Sequence, residues 1–353
     1  MRRFRTLIGA AAAAVAVVVA VPTTAHAQEF VPCSATALRN AITRANTVPG
    51  PVTLFLAFGC TYNLTAEDNP GNGLPIVTSE ITVLGNRSTI RRAATAPHFR
   101  ILEMTGPTAD LTLNNLTISE GRSTSGGEGG GGLLNDGGEL TLNSVEVTRN
   151  QSLTAGIGGG IQSHGTLILR NSTVSFNLSS NNAGGLWATG TATLSNATIT
   201  GNTARDHSGG MEVNGTMAIT NSRVTDNASG LSGGGIESRG ATITIADTLI
   251  RGNSTGSGGG GILNLDGALT LDRTTVFANR TLGSGSQGGG ITNSGATATA
   301  TLRNSSVTHN RANTSPGGIF NDGGTVSLTA TPVTDNLSTN CLGSAPAVAG
   351  CTN

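Results

Sequence analysis

Residues 184–202 read GGLWATGTATLSNATITGN, and residues 209–227 read GGMEVNGTMAITNSRVTDN. Aligned without a gap, both carry a glycine pair, an aliphatic residue directly after it (Leu186, Met211) and alternating apolar positions ending at Leu194 and Ile219. Five residues on comes another aliphatic residue (Ile199, Val224), and three further an asparagine (Asn202, Asn227). The glycine–aliphatic step recurs outward from this pair, at Leu133, Ile161, Ile236, Ile262, Ile291 and Ile319, so that successive units are 28, 25, 25, 25, 26, 29 and 28 residues apart. The asparagine follows at the same offset as Asn150, Asn177, Asn202, Asn227, Asn253, Asn279, Asn310 and Asn336. A degenerate unit precedes these, with Leu111, Leu113 and Ile118 in place and Gly121 where the asparagine belongs.

Each unit holds three short segments of period-two alternation, punctuated by Gly, Asn, Asp and Ser, which predicts strands joined by turns. A three-strand unit cannot bury its own apolar side, whereas identical units stacked on one another enclose a continuous core. The expected fold is therefore all-β, a right-handed parallel β-helix of about 25–28 residues per coil with coils about 4.8 Å apart. The asparagine after Val-x-x is expected to adopt the left-handed conformation and to bond its neighbours across coils. Segments of unequal length at 152–157, 179–183, 205–208 and 280–287 mark one variable turn.

The Gly-Gly-aliphatic and Val/Ile-x-x-Asn pair resembles the repeats of secreted bacterial right-handed β-helix proteins of the pectin-lyase-like fold. It is also similar to polymorphic outer-membrane protein repeats, in which an aromatic residue usually replaces the Val. The resemblance covers about residues 80–336 and implies a fold that hosts lyases, hydrolases and adhesins alike, so it leaves activity open. An outer-membrane barrel is not expected in the 17 residues after Asn336. Polysaccharide lyases of this fold use an aspartate cluster for calcium and a basic proton acceptor, and no two of Asp136, Asp266 and Asp322 fall on adjacent coils.

The 353 residues include 52 glycines and only 11 % charged residues, and the formal net charge is zero. No Gly-X-Y period supports collagen, and charge balance argues against a highly charged disordered chain or a nucleic-acid binder. Residues 1–27 read as a signal peptide: Arg2, Arg3 and Arg5, an apolar run from Leu7 to Val21, and the small-x-small site at Ala25-His26-Ala27. The apolar run is shorter than the roughly 20 residues of a membrane span. Cleavage there leaves 17 basic against 20 acidic residues, a net charge of about −3, and a secreted, extracellular, monomeric chain with no membrane span. An oxidising compartment suits the four cysteines, read as two local disulfides, Cys33 with Cys60 and Cys341 with Cys351. The organisation expected is signal peptide 1–27, N-terminal cap 28–80, repeats 81–336 and C-terminal cap 337–353. Within the first cap Ser34 begins a short helix with Leu38, Ala41, Ile42 and Ala45 on one face, followed by first strands from Val52 to Ala57 and from Ile81 to Leu84.

Stacking the units aligns the residue after each glycine–aliphatic step: Leu134, Gln162, Trp187, Glu212, Glu237, Leu263, Thr292 and Phe320. Alternation turns this column outward, onto an exposed sheet face. Glu212 and Glu237 then stand on adjacent coils about 5 Å apart, beside the only tryptophan, with Asp206, His207, Arg239 and Gln162 nearby. Two carboxylates at that separation are the arrangement of retaining glycosidases, and like charges so close split into an acid and a base. The same pair offers ligands to Ca²⁺; no other cofactor is implied. The simplest alternative is a solvated face screened by Arg239. The next column, which includes Asn135, Ser163, Ser238, Asn264, Asn293 and Asn321, is read as a structural polar ladder. Gly230-Leu-Ser-Gly-Gly234 matches GxSxG, but no helix follows, so a hydrolase elbow is not expected. The functional expectation is binding of extracellular or cell-wall polysaccharide, with a glycoside hydrolase or lyase using Glu212 and Glu237, or an adhesive protein, as alternatives.

Overall fold

A computed structural model of the chain describes residues 26–124 and 129–353, so the segment read as a signal peptide lies outside the described residues except for its last two. The architecture is an all-β parallel β-helix of about 12 turns with a single helix. One coil consists of strands Leu186–Ala188, Thr191–Ser195, Thr198–Thr200 and Thr203–Ala204. Each pairs in parallel with its equivalent on the next coil, Leu186 with Met211, Thr191 with Thr216, Thr198 with Arg223 and Thr203 with Ala228. A coil thus has four strands where three are expected from the sequence, because the fourth is two residues long and too short to show alternation. The first strands stack into a nine-stranded sheet and the fourth into a seven-stranded one. The second and third share a sheet, since Glu80–Arg92 and Asp110–Ser119 run through the corner between them.

The interior is a set of aliphatic columns: Leu186, Met211, Ile236, Ile262 and Ile291 are all fully buried, as are Leu194, Ile219, Ile245 and Leu271. Each such side chain contributes about 1.5–3 kcal/mol by leaving water. The asparagine column is equally buried. Each Asn Nδ2 donates to Oδ1 of the asparagine one coil on, at 2.9–3.1 Å from Asn150 to Asn336. Its second hydrogen reaches a backbone carbonyl of the preceding coil, as from Asn202 to Val174 O at 2.9 Å. The ladder ends on Gly121 N at one side and Asn340 at the other. The left-handed residue is not the asparagine, as expected from the sequence, but the one before it: Phe176, Asp226, Ala278 and His309 have φ of 53–58°. The ladder asparagine aims its amide along the stack, and the left-handed position falls to the residue before it, whose side chain takes no part in the ladder.

The ends are closed. Ser34 caps helix Ala35–Ala45 by accepting from Ala37 N, and Leu38, Ala41, Ile42 and Ala45 are its buried residues. A strand absent from the sequence reading, Ala27–Val31, precedes the helix and pairs with Val52–Leu56, the first strand that was expected. Both disulfides are present, Cys33–Cys60 at the helix start and Cys341–Cys351 in the tail. Among the described residues no helix is long and apolar enough to cross a membrane.

Candidate functional site

The unequal turns lie between the fourth strand and the next glycine pair, and they fold back over the sheet of first strands. This overturns the exposed face. Glu212 is 3 % and Glu237 0 % exposed, Gln162 is buried, and within the column only Trp187 and Phe320 stay half-open. Gly233, at φ +64°, lies so close above Glu237 that a Cβ there would meet its side chain at 2.7 Å. The outward column is right in register, with Gln162 opposite Trp187, Trp187 opposite Glu212 and Glu212 opposite Glu237. Coverage by the turn is what sheet alternation alone does not contain.

Under that cover a polar cluster forms around the carboxylates. Ser208 Oγ donates to Glu212 Oε2 at 3.4 Å and stands 3.1 Å from Glu237 Oε2. Arg239, two residues after Glu237 on the same face, places Nη2 2.5 Å from Glu237 Oε1 and Nε 3.4 Å from Glu212 Oε1. The Nη2–Oε1 approach is an ion pair without hydrogen-bond alignment, since Glu237 Oε1 has no hydrogen-bond partner. His207 Nδ1 lies 3.9 Å from Glu237 Oε2 and 2.6 Å from Ser232 Oγ, which is itself 3.1 Å from that carboxylate oxygen. Burial pushes the Glu237 carboxyl above the usual carboxylate range; Glu212 adds to this, while Arg239, His207 and the Ser232 hydroxyl oppose it. The cation already facing the pair is the Arg239 guanidinium, and among the described residues no three His, Cys, Asp or Glu side chains gather as a metal cage.

The other expected residues are placed as follows. Trp187 meets the ring of His164 edge-on, with centroids 5.2 Å apart. Gln162 is committed, its amide oxygen accepting from Gly129 N and its nitrogen 3.0 Å from His164 Nε2. Asp206 serves through its backbone, bonding Asn181 O and Leu231 N. Ser208 was missed, and Ser232 stood out only as the centre of the GxSxG match, not as a neighbour of the carboxylates; both sit just ahead of a glycine pair in a variable turn. The polar ladder of the next column is present, Asn264 Nδ2 donating to Asn293 Oδ1 and Asn293 Nδ2 to Asn321 Oδ1, each at 2.8 Å.

A cavity of about 190 Å³ continues the column past Glu237, lined by Ser232, Leu263, Leu265, Thr292 and Phe320 among others. A larger cleft of about 520 Å³ lies on a different face at Arg223, Asp247 and Arg273, where Arg273 already forks onto Asp247 at 2.7 and 2.8 Å. The first is the more informative because it opens on the buried cluster. Fold and site together define a parallel β-solenoid with a carboxylate–arginine–histidine cluster under one turn. Comparison with family models, curated proteins and solved structures gives no match.

Proposed function

We propose that the protein is a secreted β-solenoid that binds extracellular or cell-wall polysaccharide at half-open Trp187 and the turns beside it. The observation that supports this best is the placement of half-open Trp187 one coil from the Glu212–Glu237–Arg239–His207 cluster. An aromatic face beside a line of charged hydrogen-bonding groups suits a sugar ring, apolar on its faces and polar at its edge. The two disulfides are compatible with an oxidising compartment. Affinity electrophoresis across a polysaccharide panel tests the reading: at least one polymer retards the protein, and Trp187→Ala weakens that retardation about tenfold, equivalent to about 1.4 kcal/mol. No retardation by any polymer contradicts it and favours an adhesive protein.

Glycan hydrolysis by Glu212 and Glu237 has one observation in its favour, the raised titration of Glu237, which suits a general acid. Against it stands complete burial, with Arg239 bridging both carboxylates. Release of reducing ends or unsaturated products, abolished by Glu237→Gln, would establish it.

A further inference from the structure

Ser232 is the central residue of the GxSxG match. The strand Ile236–Arg239 follows it, not a helix, so the hydrolase elbow is indeed missing. The solenoid brings a histidine to this serine by another route. His207 occupies the equivalent turn one coil earlier and forms a bridge to Ser232, which puts His207 Nδ1 2.6 Å from Ser232 Oγ. From these contacts we infer that Ser232 is a nucleophile and His207 its general base, giving the site an acyl-ester hydrolase activity.

The geometry meets the requirements of such a pair in turn. Nucleophile and base are within hydrogen-bond reach. With the ring proton on Nε2, Nδ1 accepts the Ser232 hydroxyl. The serine is fixed, since its carbonyl accepts from Ser208 N at 2.9 Å and from Ser229 Oγ at 2.8 Å. It is accessible, lining the 190 Å³ cavity against the apolar wall of Leu263, Leu265 and Phe320. Glu237 Oε2, 3.1 Å from Ser232 Oγ and 3.9 Å from His207 Nδ1, is a second acceptor for the one hydroxyl proton, so the pair works when that proton points to His207.

The chemistry balances without a cofactor. Ser232 Oγ bonds to the acyl carbon as its proton passes to His207 Nδ1. The tetrahedral adduct collapses, the bond from acyl carbon to alcohol oxygen breaks, and that oxygen takes the proton from His207. Water then adds to the acyl-serine, giving its proton to Nδ1, and collapse releases the carboxylic acid and restores Ser232. The net change is ester plus water to alcohol plus acid. The substrate class, a polysaccharide carrying O-acyl esters, rests on the binding reading above, whereas the serine chemistry does not.

The test therefore uses probes that contain no sugar. The full chain is treated with a fluorophosphonate, and the modified peptide is identified by mass spectrometry; hydrolysis of p-nitrophenyl acetate is followed in parallel. The expected result is labelling at Ser232, lost in Ser232→Ala, slowed about 10²-fold in His207→Ala and restored there by added imidazole. Labelling elsewhere, or ester hydrolysis at equal rate in the wild type and Ser232→Ala, overturns the proposal. Acetate release from an O-acetylated polysaccharide then tests the substrate class. Ester activity without polysaccharide binding leaves the serine chemistry standing and overturns the glycan reading, and the reverse result does the opposite.

Discussion

Asn227 shows what one position contributes to this molecule. Its Oδ1 accepts from Asn202 N and Asn202 Nδ2, and its own Nδ2 donates to Ile199 O and Asn253 Oδ1, each at 3.0 Å in a site with no water access. Asn227→Ala leaves two buried donors without an acceptor, at about 1–3 kcal/mol each; urea unfolding is expected to show a loss on the order of 3–5 kcal/mol. The residue before each ladder asparagine is a separate lever. Ala278 has φ 54°, a conformation that glycine adopts without the Cβ clash, so Ala278→Gly is expected to be neutral or to raise stability by up to about 1 kcal/mol, read as a higher Tm. Glu237 carries a pH signature. Its carboxyl titrates above the ordinary 4.5 in the folded state because burial disfavours its charge. The folded protein therefore holds that proton more tightly than the unfolded chain, so this group's contribution is fully present below about 4.5 and is lost as pH rises through the folded value. Glu237→Gln is expected to flatten the fall in stability above pH 4.5, as measured by denaturation at a series of pH values.

At the scale of elements, the strands and the variable turns obey different rules, and that difference decides what could be read in advance. The strand columns were legible because each coil repeats the same local demand: an aliphatic residue after the glycine pair, and an asparagine where the ladder needs an amide. The helix at Ala35–Ala45 was legible from its cap and its apolar face. The fourth strand was not, because two residues such as Thr203–Ala204 carry no period and take their conformation from their neighbours on adjacent coils. The site was half legible. Register put Glu212 against Glu237, but the turn around Ser208 and Ser232 is not repetitive, and only its tertiary path shows that it buries them. The Cys33–Cys60 disulfide belongs to this scale as well, since it ties the capping helix to the first coil across 27 residues. Cys33→Ser with Cys60→Ser is expected to cost about 2–4 kcal/mol, with hydrogen exchange rising first in the N-terminal coils.

The whole molecule is a stack in which each coil touches only its neighbours, so its stability is close to a sum of coil and interface terms. A solenoid of this kind offers in-register columns, and a column that departs from the repeat stands out against them. Here the departure is a single tryptophan followed by two glutamates, an arginine, and a serine–histidine contact, with a partly apolar cavity beyond. We propose that this column is a ligand site. Trp187 is the only tryptophan in the chain, so its emission reports on that site alone. Titration with the polysaccharide that retards the protein is predicted to give a saturable change in tryptophan fluorescence, weakened about tenfold by Arg239→Ala. Binding of that polymer with no change in Trp187 emission, or with an unchanged Kd in Arg239→Ala, would contradict it.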